Sequence, residues 1–137
     1  MLDPDRQTQF IVKLNRLTKD GRLKWSESFQ AVNLEAPNAE PDSRTYEACL
    51  EDLIVRIFRY RLVRFAERLV SDDGEDVLLS KPRPYSSTHY RLEVFTSAID
   101  RFPDAEIEDH PALEHLFEVA RFDAAGLASR IEHVLNL

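Results

Sequence analysis

The sequence predicts an α+β fold: an antiparallel sheet of four to five strands with one N-terminal helix and two C-terminal helices. Apolar residues recur at helical spacing in the first twenty positions and again after Pro103, and between these they alternate with polar residues over several stretches. The 137 residues suffice for one hydrophobic core and not for two comfortable ones, so residues 1–137 are expected to form a single domain.

The first helix is expected from Pro4 to Lys19. Asp3 can accept from the free amides of the first turn, and Pro4 fits the first helical position, where no amide hydrogen is needed. Phe10, Ile11, Leu14 and Leu17 share one face, and Gly21 suits a left-handed helix end. From Leu23 to Val32 the period falls to two, with Leu23, Trp25, Phe29 and Ala31 against Lys24, Ser26, Ser28 and Gln30, which predicts a half-buried strand. Asn33 to Arg44, with Pro37 and Pro41, reads as a long loop.

Two strands follow, Tyr46 to Glu51 and Ile54 to Phe65, joined tightly near Asp52. Leu53 to Ile57 is apolar on both sides, as a covered central strand would be. Ser71-Asp72-Asp73-Gly74 is a turn signal, Val77 to Leu79 a short strand, and Lys81-Pro82-Arg83-Pro84 a break, because proline removes sheet donors. Thr88 to Thr96 alternates again. After Pro103 the pattern turns helical, with Asp109 capping a helix striped by Leu113, Leu116, Phe117 and Ala120. Asp123 is expected to open the last helix and bury Leu127, Ile131, Val134 and Leu135.

Composition narrows the function classes. Apolar residues make up 43% and charged residues 31%, which fits a folded globular protein. No apolar run approaches the roughly 18 to 20 residues that span a bilayer, and Met1-Leu2-Asp3-Pro4-Asp5 lacks the layout of a secretory signal. Cys49 is the only cysteine, which excludes an intramolecular disulfide and a zinc cluster of cysteines. A cytoplasmic protein without membrane contact is the expectation. The formal net charge of −7 opposes general attraction to nucleic acid. Residues 70–137 hold 14 Asp and Glu against 6 Lys and Arg, whereas Arg56, Arg59, Arg61, Arg64 and Arg68 crowd into a short strip.

The candidate site is the polar side of the sheet. If consecutive strands pair, Glu47, Cys49, Glu51, Arg59, Arg61, His89, Arg91 and Glu93 are expected on one face, with Tyr60 and Tyr90 turned to the apolar side. Such a face is either a solvated surface of cross-strand ion pairs or a recognition surface built on arginine forks. Arg59, Arg61, Arg91, Glu47 and Glu93 are the expected partner contacts. Cys49 with His89 is a candidate nucleophile and base, although nothing beside the sulfur would lower its pKa.

His110, His115 and Glu118 do not have the four-apart spacing of helical metal ligands, and Asp72-Asp73-Gly74-Glu75-Asp76 lacks the calcium-loop spacing. His133 suits the end of its helix. With 3 glycines no phosphate-binding loop is present, so no metal and no cofactor is expected.

At Arg56-Ile57-Phe58-Arg59-Tyr60-Arg61, at Pro111 to Arg121, and in the helix leading from Leu14 to a strand bearing Trp25, the chain resembles small uncharacterised bacterial proteins. The resemblance covers most of the chain and implies a bacterial origin and an α+β fold. It carries no reaction and transfers no site.

The function expected from these residues is that of a non-catalytic protein-binding module, an accessory, regulatory or immunity-type protein. It would meet a protein partner, or a second copy of itself, through the Arg-rich face. The alternatives are nucleic-acid or nucleotide binding through the same face, which the net charge disfavours, and an enzyme using Cys49 and His89.

Overall fold

The computed structural model describes residues 2–70, 74 and 76–137, and of residues 66–70, 76–77 and 79–82 the backbone alone. The α+β architecture is as expected, with more strands. In order, the elements are α1 (Pro4–Lys19), β1 (Trp25–Ser28), β2 (Ala39–Pro41), β3 (Thr45–Leu50), β4 (Leu53–Val70), β5 (Asp76–Phe95), β6 (Ala105–Glu108), α2 (Leu113–Ala124) and α3 (Leu127–Leu135). The six strands form one antiparallel sheet in the order β1-β3-β4-β5-β6, with β2 paired to β4 beyond the end of β3.

Local chemistry sets the boundaries. Asp3 Oδ1 accepts from Arg6 N at 2.9 Å and caps α1. At its other end the amides of Gly21 and Arg22 return to the carbonyls of Thr18 and Leu17, a closure that places Gly21 at φ +75°. Helix α1 and helix α2 cover one side of the sheet. There Ile11, Leu14, Leu17, Trp25, Tyr46, Ala48, Val55, Ile57, Leu92, Val94, Ile107, Leu113, Leu116, Phe117 and Ala120 form the main core. Trp25 ties three elements together. Its backbone N–H donates to Asp123 Oδ2 of α2 at 2.8 Å, and its indole N–H donates to Thr18 Oγ1 of α1 at 2.9 Å.

The opposite side of the sheet is also partly buried, by chain rather than by helix. Phe58, Tyr60 and Phe95 are buried there together with Arg56 and Glu93. A cavity of about 680 Å³ lies between Gln30–Asn33, Arg56 and Ala98–Phe102, and Arg91 Nη1 donates to the carbonyl of Asn33.

Several local expectations change. The loop from Asn33 to Arg44 contains β2, held to β4 by the pairs Ala39–Leu62, Glu40–Arg61 and Pro41–Tyr60. Strand β5 runs on through Lys81 to Pro84, but its pairing with β4 slips there: Arg83 stands opposite Ala66 and Leu78 opposite Arg68, so the expected break is present as an irregularity of the ladder. The turn at Ser71 to Gly74 lies outside the described residues except for Gly74, which has φ +81°. Residues 105–108 form β6, and Asp109, at φ +54°, precedes α2 without capping it. Asp123 lies within α2, and none of the residues of α3 is buried. Its apolar stripe, expected in the core, is exposed at Leu127, Ile131, Val134 and Leu135.

Candidate functional site

The register decides which of the predicted site residues meet. Leu50 pairs with Leu53 across a two-residue loop, so an odd-numbered residue of β3 stands opposite an even-numbered residue of β4. The same parity holds between β4 and β5. Residues directly opposed in antiparallel strands share a face. Glu47, Arg56, Glu93 and Glu106 therefore form one row across four strands, Phe58, Arg91 and Glu108 the next, and Tyr60 with His89 the third.

The expected single polar face is in fact two. Glu47, Cys49, His89, Arg91 and Glu93 lie on the side away from the helices. Arg59 and Arg61 lie on the helix side, where the Arg59 guanidinium carbon is 5.5 Å from the centre of the Phe117 ring. Tyr60 and Tyr90, expected on one apolar side, are likewise separated: Tyr90 packs against Phe117, while Tyr60 stacks on the His89 ring at 5.3 Å.

Each expected contact residue already has an internal environment. Arg59 Nη2 donates to the Asp42 carbonyl at 3.1 Å, and its Nε stands 3.3 Å from Asp42 Oδ2 without the alignment of a hydrogen bond. Arg61 pairs with Glu40, and that contact raises the Arg61 pKa further above its ordinary value. Arg91 Nη2 donates to Glu108 at 3.1 Å, and its guanidinium lies 5.2 Å from the Tyr60 ring. Glu47 accepts from Arg56 Nε at 2.6 Å, and Arg56 also lies 4.3 Å over Phe95. Glu93 is 5% exposed. Burial pushes its carboxyl above the ordinary range, and the nearby Arg91 opposes that shift.

Cys49 and His89 are not brought together. Cys49 stands opposite Ile54 and His89 opposite Tyr60, six positions apart along β4, about 20 Å at ~3.3 Å per residue. His110 Nε2 instead meets Thr8 Oγ1 at 2.9 Å, and its Nδ1 accepts from Ala112 N. His115 is exposed. Among the described residues no group of three His, Cys, Asp or Glu side chains is arranged to hold a metal ion.

A polar cluster that the sequence pattern does not predict surrounds His89. Its Nδ1 lies 2.6 Å from Asp109 Oδ2 and its Nε2 lies 2.7 Å from Ser87 Oγ. Asp109 Oδ1 accepts from Tyr90 N at 3.2 Å, and Asp109 N returns a bond to the Tyr90 carbonyl at 2.9 Å. Beside it, Glu108 accepts from both Tyr60 Oη and Arg91. Burial, then Asp109 and Glu35, raise the Glu108 pKa. Alternation does put Ser87 and His89 on one face, which the sequence reveals. The position of Asp109 depends on the short strand β6, which lies where the sequence predicts the approach to a helix.

The β4–β5 pair is the other prominent feature. From Val63 and Ser86 outward to Val70 and Asp76 it continues as two strands, with no third strand paired to either among the described residues. Phe65, Leu78 and Tyr85 on this arm are 63%, 71% and 51% exposed. Arg61, Val63, Pro84, Tyr85 and Ser86 border a shallow cavity of about 260 Å³ at its base. No helix here is long and apolar enough to cross a membrane, as judged over the described residues. No family model matches the chain, and no curated protein and no solved structure matches it either.

Proposed function

We propose that this chain is a protein-binding module that engages its partner through the β4–β5 arm. The observation that carries this reading is the pair of strand edges beyond Val63 and Ser86, unpaired among the described residues, which bear Phe65, Leu78 and Tyr85 in the open. A two-stranded ribbon is marginal by itself in water, and free edges with exposed apolar side chains invite a further strand or surface. Exposed Arg64 and Arg83 on the arm favour a partner with an acidic rim.

The arm replaces the Arg-rich face as the contact surface because Arg59, Arg61 and Arg91 each pair with a carboxylate of this chain, Glu47 is bound to Arg56, and Glu93 is buried. The same ion pairs remove the main support for nucleic-acid binding through that face. Arg61, paired with Glu40, is the one expected contact residue that borders the base of the arm.

The test is nuclease-treated affinity capture and light scattering of wild type beside Phe65→Ser/Tyr85→Ser. The expected result is a partner, or a self-associated species, that the double variant loses while its melting temperature stays unchanged. Equal association by the two proteins would refute the arm as the contact surface.

A further inference from the structure

Ser87, His89 and Asp109 stand in a fixed order. With the imidazole proton on Nδ1, His89 donates to Asp109 Oδ2 at 2.6 Å and accepts the Ser87 hydroxyl proton on Nε2 at 2.7 Å. That is the order of nucleophile, base and orienting carboxylate. The sheet supplies the positioning. Ser87 and His89 are two apart on β5 and share a face, Tyr60 stacks on the imidazole at an interplanar angle of 22°, and Tyr90 N holds the second oxygen of Asp109. Asp109 takes up this position at φ +54°, a strained conformation of the kind that collects at functional sites. The His89 side chain is 21% exposed, so the relay is held yet reachable.

We propose that these three residues form an acyl-transfer relay with Ser87 as nucleophile, acting on small activated esters. The relay is separate from the arm's apolar contacts and does not depend on the binding reading.

A donor for the developing oxyanion follows from the ladder. The N–H of Tyr90 and the carbonyls of Tyr90 and Val94 point toward the β6 side of β5. Alternation turns the N–H of Thr88 the same way, past Arg91–Glu108, the last pair with β6. Among the described residues no group accepts from the amide after the nucleophile, which lies at an open edge where it can stabilise a tetrahedral oxyanion.

In the first step Ser87 Oγ bonds to the acyl carbon and its proton passes to His89 Nε2. The carbon–oxygen bond to the leaving group then breaks, and His89 returns the proton to the departing alkoxide. Water attacks the acyl-serine ester by the same route in reverse, releasing the acid and restoring Ser87. The site is an open strand edge, so the acyl group must be small and the leaving group good.

The test uses a fluorophosphonate probe, whose phosphorus bonds to an activated serine Oγ with loss of fluoride. Wild type should gain one adduct, located at Ser87 by peptide mass spectrometry, and Ser87→Ala should gain none. His89→Ala and the isosteric His89→Gln should slow labelling ~10²–10⁴-fold, the contribution of a positioned base. Asp109→Asn should slow it as well, while Ser86→Ala, on the opposite face of β5, should label like wild type. Thermal melts establish that each variant is folded. A folded wild type that stays unlabelled overturns the relay, as does labelling of Ser87 at the same rate in either folded His89 variant.

Discussion

Arg56 faces Glu93 directly across β4 and β5, yet it forms its ion pair with Glu47, its neighbour on the other side, at 2.6 Å. Glu93 is left buried, and among the described residues it has no cationic nitrogen within ion-pair distance.

The first prediction concerns pH. Burial raises the Glu93 pKa in the folded protein, and Arg91 and Arg56 only partly offset it. A carboxyl held above its unfolded value contributes stability that is complete below about pH 4 and is lost as pH rises through the folded pKa. Wild type should therefore lose stability relative to Glu93→Gln as pH rises above about 4. Urea unfolding of both proteins at three pH values measures the difference. A gap that widens in favour of wild type as pH rises would mean that the arginines dominate this carboxylate.

A second prediction tests the junction of α1 and β1. Thr18 Oγ1 accepts from the Trp25 indole N–H at 2.9 Å and donates to the Leu14 carbonyl at 2.7 Å, both in the buried interior. Thr18→Val keeps the volume and orphans the indole donor, which should cost about 1–3 kcal/mol. Trp25 is the sole tryptophan, so its own fluorescence reports the unfolding. A variant within about 0.5 kcal/mol of wild type would indicate that water satisfies the indole.

Much of this architecture is legible in the sequence, and the misses share a cause. Helix α1 follows from Asp3, Pro4 and Gly21 because capping and proline chemistry are local. The faces of β3, β4 and β5 are legible strand by strand as well. The pairing of those faces is not, because it depends on whether the β3–β4 loop holds an odd or an even number of residues. The two residues Glu51 and Asp52 bring Glu47 opposite Arg56, so Arg59 and Arg61 fall on the helix side. Strand β6 is not legible because four residues carry too few alternations to reveal a period. With β6 went the position of Asp109, and with Asp109 the cluster around His89.

A third prediction follows from the exposed stripe of α3. Ile131 is 54% exposed although it repeats at core-like spacing with Leu127, Val134 and Leu135. Ile131→Ser should change the unfolding free energy by less than about 0.5 kcal/mol. Leu116→Ala, in the main core beneath α2, should cost about 2–5 kcal/mol. Chemical denaturation of the two variants makes the comparison. A loss above about 1 kcal/mol for Ile131→Ser would mean that α3 folds against a surface in solution, a second copy included.

The fourth prediction rests on the β3–β4 turn. Glu51 and Asp52 form a two-residue hairpin loop after the pair Leu50–Leu53, and Glu51 takes φ +55° at its first position. Positive φ at that position alone is the pattern in which glycine is favoured, and a side chain there costs about 1–2 kcal/mol through its Cβ. Glu51 is exposed and its side chain makes no hydrogen bond among the described residues, so its replacement loses little else. Glu51→Gly should therefore stabilise the protein by about 0.5–1 kcal/mol, even after the greater freedom of glycine in the unfolded chain is counted. Glu51→Ala keeps the Cβ and should be nearly neutral, which separates backbone strain from loss of charge. Asp109 offers the contrast. It sits at φ +54°, but its carboxylate binds His89 and the Tyr90 amide, so Asp109→Gly should relieve strain and still lower stability. Thermal melts of the three variants decide the matter, and stabilisation by Ala equal to that by Gly would rule out backbone strain at Glu51.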